Sequence, residues 1–234
     1  MPGSGDVGGV DATLWAMATT PEQVGPDRET IEHYRAASAA FLETCRGITD
    51  WEAPGLGVWT VRSLAGHTNR SHTNVTRYVA AGPEPGAVPV DGPVGYFAAF
   101  WAPQPGRNAS DDEEVAERGR QAGEALGQEP LSVIERDRAE VLALLESTAP
   151  DVELRTPAGT MTLAGYLATR IFELAVHTVD LARATGQTMP AALDPVVPRV
   201  VRLAADLAVA RGAGVVVAEA LTGRGPLSDG FTVL

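Results

Sequence analysis

A single cysteine, Cys45, serves a chain of 234 residues. That excludes a disulfide within the chain and suits a reducing compartment. No apolar run approaches the length of a membrane span. The opening Met-Pro-Gly-Ser-Gly-Asp lacks both the basic start and the apolar region of a secretion signal. Together these absences point to the cytoplasm. Basic residues are short too: 18 Lys and Arg against 30 Asp and Glu leave a net charge of −12. Nucleic acid and anionic membrane both reward basic surfaces, so neither is expected as a partner. Lysine, asparagine and isoleucine are scarce while Ala, Val, Arg, Gly and Asp are plentiful, a bias associated with high-GC bacterial genomes. Internal repeats and clear linkers are also missing.

What is present suffices for a core, since 44% of the residues are hydrophobic. The expected plan is mainly α. Residues 1–26 read as a mobile, Gly-rich lead-in with a short helical stretch near its end. A first helix is expected over 27–47, with Ile31, Tyr34, Phe41, Leu42 and Cys45 on its apolar repeat. Thr60 is the cap of a second, running to about Ala81, with Trp59 and Leu64 as a hydrophobic staple. The Gly- and Pro-dense stretch 82–106 reads as a long connection with one helical turn near Tyr96–Trp101, and a loop of that length is more often functional than incidental. Ser110 caps an acidic helix start, Asp111–Glu114, that suits the positive end of a helix dipole. Another helix follows over 130–147. Residues 151–161 form two short strands around Pro157-Ala-Gly, and Thr162 caps the helix that ends near Gly186. Further helices are expected over 194–211 and 213–222, the latter also readable as a strand, with an edge strand at 231–234.

The helix after Thr162 carries the chemistry. On a wheel of about 100° per residue with Glu173 at zero, Tyr166, Arg170, His177, Asp180 and Ala184 fall between about −20° and +60°. Leu163, Leu167, Leu174 and Leu181 flank that stripe on one side and Phe172, Val176 and Val179 on the other. Surface helices put charge opposite their apolar face. Here the charges lie inside it, and buried charges need a partner or a metal. Glu173 and His177, one turn apart, can chelate one cation, with His67 on the second helix as the candidate third ligand. Two histidines and a carboxylate leave a zinc-type ion one open position, the pattern of catalytic sites. Asp180 can orient an imidazole and Arg170 can pair with a carboxylate or an anionic substrate. Taken alone, the Glu-x-x-x-His spacing fits a buried charge network equally well.

The segment Trp59-Thr-Val-Arg-Ser-Leu-Ala-Gly-His67 resembles the W-T-V-R-D-L-x-x-H box of the mycothiol-dependent maleylpyruvate isomerase family, in the DinB-like superfamily. Arg170-Ile-Phe-Glu-Leu-Ala-Val-His-Thr-Val-Asp-Leu is similar to its second signature, R-x-x-E-x-x-x-H-x-x-D-L, and the ending Leu221–Phe231 resembles the family's usual C-terminus. The resemblance implies a DinB-like four-helix bundle over 27–186 with a small β-hairpin and a short helical extension over 187–234. It implies a divalent metal, usually zinc, held by His67, Glu173 and His177, with mycothiol as thiol cosubstrate and an actinobacterial source. Ser63 stands where the box has Asp, and Val58 where it has Gly. Isomerases proper carry a larger C-terminal domain, which turns the expectation away from maleylpyruvate itself.

The function expected is therefore a metal-dependent thiol S-transferase acting on an electrophilic small molecule, in detoxification or natural-product biosynthesis. Thiol-dependent cis–trans isomerisation is one alternative and a non-catalytic metal- or small-molecule-binding protein the other. A monomer or homodimer is expected. Cys45 sits in an apolar stripe and reads as core. His33 and His72 read as surface or packing residues, while Trp59, Tyr96, Phe100 and Trp101 could line a pocket or pack the core.

Overall fold

Two threonines start the helices that position the site. In the computed structural model, which describes residues 26–84, 86–101 and 110–234, Thr60 accepts a hydrogen bond from the Ser63 amide (3.2 Å) and so begins α2 (Val61–Ala81). Thr162 does the same for the Gly165 amide (3.1 Å) at the head of α6 (Leu163–Ala184). Each satisfies a donor that the first helical turn would otherwise leave unpaired.

Eight α-helices occur among the described residues. Besides α2 and α6 they are α1 (Pro26–Arg46), α3 (Gly92–Trp101), α4 (Ser110–Glu124), α5 (Pro130–Ser147), α7 (Val197–Ala210) and α8 (Gly214–Leu221). α1, α2, α5 and α6 pack on one another as the expected bundle. Its centre is filled by Tyr34, Phe41, Leu64, Ile134, Leu167 and Leu174, all fully buried. The C-terminal helices extend that core, α7 packing on α6 and α3, and α8 on α7.

The strands β1 (Glu153–Thr156) and β2 (Gly159–Thr162) pair antiparallel, with Leu154 opposite Met161. Gly159 turns the hairpin at φ 132°, and a Cβ there would strike the Val88 carbonyl. That close approach lets residues 88–90 run beside β2, where Thr160 donates to Val88 (2.8 Å) and accepts from Val90 (2.8 Å).

Several expectations change. The single turn near Tyr96–Trp101 is the ten-residue α3, so the stretch after Gly82 is part of the packed structure. No strand forms at 231–234, whereas the helix expected over 213–222 is present as α8, so its strand alternative falls away. The next-to-last expected helix starts later than 194, after a 3₁₀ turn at Ala191–Leu193. Residues 1–25, on which the expected lead-in falls, residues 102–109 and the side chains of the Ser110 cap and of Asp111–Glu113 lie outside the described residues.

Of the two readings of His72, packing holds and surface does not: its ring lies against Tyr34 and Phe41. It is fully buried, with Nε2 2.9 Å from the Ser38 hydroxyl and Nδ1 2.9 Å from the Asn69 carbonyl oxygen. Asn69 donates onward to Asp137 (2.7 Å), whose other oxygen accepts from Arg136 (2.7 Å). This relay ties α1, α2 and α5 together. Burial, reinforced by the Arg138 charge, lowers the His72 pKa to about 3, so the ring is neutral.

Candidate metal centre

The two boxes meet where α2 crosses α6. The Glu173 Oε2 atom lies 3.4 Å from His177 Nε2 and 3.8 Å from His67 Nε2. One donor atom from each of the three residues falls within 4.8 Å of the others. Around an ion with bonds of about 2.0–2.2 Å, tetrahedral neighbours stand about 3.3–3.6 Å apart; the Glu173–His177 pair is at that spacing and His67 stands slightly outside it, so the residues present fit a small divalent ion once the His67 side chain moves in. His67 and His177 meet edge to face, with ring centres 5.1 Å apart.

Helix geometry explains the convergence. Glu173 and His177 share a face because they are one turn apart. The same face continues to Asp180, whose Oδ2 atom lies 3.0 Å from His177 Nδ1. That contact accounts for one ring nitrogen and leaves Nε2 toward Glu173, the second-layer arrangement common around ligating histidines. Arg170 lies one turn before Glu173, with no ion pair between them within 4 Å.

His67 is oriented differently. The Trp59 ring stacks beside it, 4.7 Å between centres at 35°, and the Trp59 indole N–H donates to the Ala116 carbonyl on α4 (3.2 Å). α4 comes this close because glycine permits it. A Cβ on Gly66 would strike the Ala122 backbone, and one on Gly119 would strike the indole itself. His67 Nδ1 is buried and has no hydrogen-bond partner among the described residues.

The electrostatics are uneven. Burial would raise the Glu173 pKa, but the neighbouring His177 and His67 imidazoles and the Arg170 charge hold the carboxyl well below its usual range. Burial likewise disfavours the His177 cation, yet bonds to Asp180 and Glu173 outweigh it and raise the pKa to about 9. His67 moves the other way, lowered by burial more than Glu173 raises it. The cluster thus holds a carboxylate, a neutral imidazole and a proton that a cation can displace.

The structure brings together His67, Glu173, His177 and Asp180, with Arg170 at their side. Sequence reasoning missed Arg70, one turn beyond His67, although its spacing places it near that face. It left open the position of Tyr96, whose ring packs 5.8 Å from Tyr166 beside Arg170. Phe100 packs on Tyr96, with ring centres 5.2 Å apart. Trp101 lies against the Arg211 guanidinium, 4.8 Å from its ring centre.

No curated protein and no solved structure matches the chain. The model of the mycothiol maleylpyruvate isomerase N-terminal domain does, over residues 32–182. No helix among the described residues is long and apolar enough to cross a membrane. With well over half its length matched, from early in α1 to the last turn of α6, the chain belongs to the mycothiol maleylpyruvate isomerase N-terminal domain family.

Proposed function

We propose that this protein is a metal-dependent thiol S-transferase, joining mycothiol or a similar low-molecular-weight thiol to an electrophilic small molecule. The observation that carries it is the convergence of His67, Glu173 and His177. A divalent ion bound by those three residues, zinc in the first instance, would keep an open position and deprotonate a thiol entering it. The thiol sulfur then forms a bond to the electrophilic carbon, and the leaving group departs with the electrons of the bond it breaks.

The chain's own residues prepare that step. Asp180 fixes the His177 ring through Nδ1, and Trp59 packs against the His67 ring. The His177 and His67 imidazoles, with the Arg170 charge behind them, keep Glu173 ionised. The thiol has to come from outside, because Cys45 is buried in the core and its thiol pKa is pushed up by desolvation. Lowered thiol pKa values arise in electropositive, accessible surroundings, the opposite of that site.

The test is incubation of the zinc-loaded protein with mycothiol and monochlorobimane, reading conjugate by fluorescence. Conjugation that disappears in His67→Ala is expected. No conjugate with any thiol, while zinc is bound, sinks the proposal. The family name supports a second reading, thiol-dependent cis–trans isomerisation, which would show turnover without thiol consumption. A protein that takes up no metal and is indifferent to His67→Ala would instead be a non-catalytic binding protein.

A further inference from the structure

His177 and His67 reach the triad with different support. A carboxylate holds the His177 ring, with Asp180 Oδ2 lying 3.0 Å from Nδ1. The His67 ring is placed by two other rings. The Trp59 indole lies 4.7 Å from it at 35°, and His177 meets it edge to face at 5.1 Å.

Trp59 is itself fixed. Its backbone closes the turn before α2, donating to the Leu56 carbonyl (3.0 Å) and accepting from the Gly55 amide (2.8 Å). Its indole N–H donates to the Ala116 carbonyl on α4 (3.2 Å). Along the edge that carries this N–H, a Cβ on Gly119 of α4 would fall 2.3 Å from an indole carbon. Two further glycines seat α4 on α2. A Cβ on Gly66, next to His67, would strike the Ala122 backbone, and one on Gly123 would come 2.9 Å from the Ser63 Cα. The indole is hemmed by α4 along one edge and by the imidazole on a face, so a shift of α4 is passed to His67.

The imidazole is also the donor that has to travel. His67 Nε2 stands 3.8 Å from Glu173 Oε2, against 3.4 Å for His177 Nε2. Two side-chain torsions decide where its nitrogen points, and a ring packed against it restricts both.

We infer that Trp59 is the positioning residue of His67, doing by ring contact what Asp180 does for His177 by hydrogen bond, and that α4 sets the place of the indole. Zinc affinity and the seating of α4 are then coupled, each strengthening the other. The inference rests on His67, Glu173 and His177 holding a divalent ion.

The experiment compares zinc affinity, by competition with a chromophoric chelator, in full-length W59L, W59F, G119A and the double variant W59L/G119A. W59L is expected to weaken binding about ten- to a hundred-fold, the range for partners that orient a ligating histidine. W59F keeps a ring against the imidazole and should recover most of that loss. G119A alters neither a ligand nor the indole, yet should weaken zinc about tenfold by displacing the indole, and should cost little more once the indole is gone. W101F, at the indole that lies against Arg211, should bind zinc as the wild type does. The visible bands of the cobalt-loaded protein should shift in W59L and G119A and hold in W59F. Zinc bound by W59L as tightly as by the wild type overturns the inference. So does a G119A loss that is as large in the W59L background, because α4 would then act without the indole. Should W59L not fold, G119A carries the test, and wild-type affinity in it overturns the inference. A wild-type protein that takes up no zinc sinks the transferase proposal, and the crystal structure of metal-free W59L then decides this one. A His67 ring that keeps its place beside His177 overturns it, and a displaced ring upholds it.

Discussion

α2 carries two histidines five residues apart, about 140° around the helix, and they meet opposite fates. His72 faces α1 and finds a neutral partner for each ring nitrogen, Ser38 and Asn69. His67 faces α6 and finds a carboxylate at 3.8 Å, a second imidazole, and nothing for Nδ1. The first network is closed, because every donor and acceptor of the ring is matched and the ring stays neutral. The second is open, because one donor atom from each of three residues lies within 4.8 Å of the others and His67 Nδ1 has no hydrogen-bond partner among the described residues. Burial alone does not distinguish structure from function. Completion does.

The largest effect expected from this contrast is on metal affinity. His67→Ala or Glu173→Gln should weaken zinc binding by more than about a hundred-fold, beyond the cost of losing an orienting partner. His72→Ala should leave it unchanged. Competition against a chromophoric chelator measures this, and equal losses at both histidines would erase the distinction.

Stability should respond in reverse. His72→Ala opens a cavity and strands Ser38 and Asn69, at a cost of about 2–4 kcal/mol. His67→Ala, tested without metal, removes a less buried ring and should cost under about 1 kcal/mol. Urea unfolding of the two variants decides the matter.

Smaller again is the effect of Asp180→Asn, which leaves all three donors but loosens the hold on His177. Zinc affinity should fall by about ten- to a hundred-fold, a figure typical of second-layer carboxylates. No loss at all would leave the 3.0 Å contact without a role at the metal.

The mildest probe is pH, where the two networks carry opposite signs. The His177 pKa is raised from 6.5 to about 9 in the fold, so its stabilisation of the metal-free protein is complete below pH 6.5 and is lost as pH rises to about 9. The His72 pKa is lowered from 6.5 to about 3, so the unfolded chain binds a proton that the fold refuses, and stability falls as pH drops from 6.5 toward 3. The alkaline limb of the stability profile should flatten in His177→Ala and the acid limb in His72→Ala. Unchanged limbs would mean other groups dominate. Zinc binding should release a proton below pH 9 and tighten as pH rises to that value, which calorimetry in buffers of different ionisation enthalpy can read.

Local chemistry made much of this legible from the chain. The caps at Thr60 and Thr162 depend on residues three positions apart, and the stripe on α6 depends only on helix periodicity. Both could be read without tertiary knowledge. The relay through His72 could not, because Ser38, which meets His72, and Asp137, which meets Asn69, come from other helices, 34 residues before His72 and 65 after it. α3 was legible only as a turn, since Gly92, Pro93 and Gly95 mask a helix that packing against α6 and α7 sustains. The stacking of Trp59 on His67 was hidden for a related reason. It depends on how closely α4 approaches, and glycines at Gly66 and Gly119 set that distance without any pattern that points to His67.

That indole has a photophysical consequence. A paramagnetic or heavy ion seated on His67 would lie close in space to the Trp59 ring, whose centre is 4.7 Å from that of His67, and provide a non-radiative path for its excited state. Substituting cobalt or copper for zinc should therefore dim the Trp59 share of the emission. The seat would thus report its own occupancy in the ultraviolet, with no label attached to the chain.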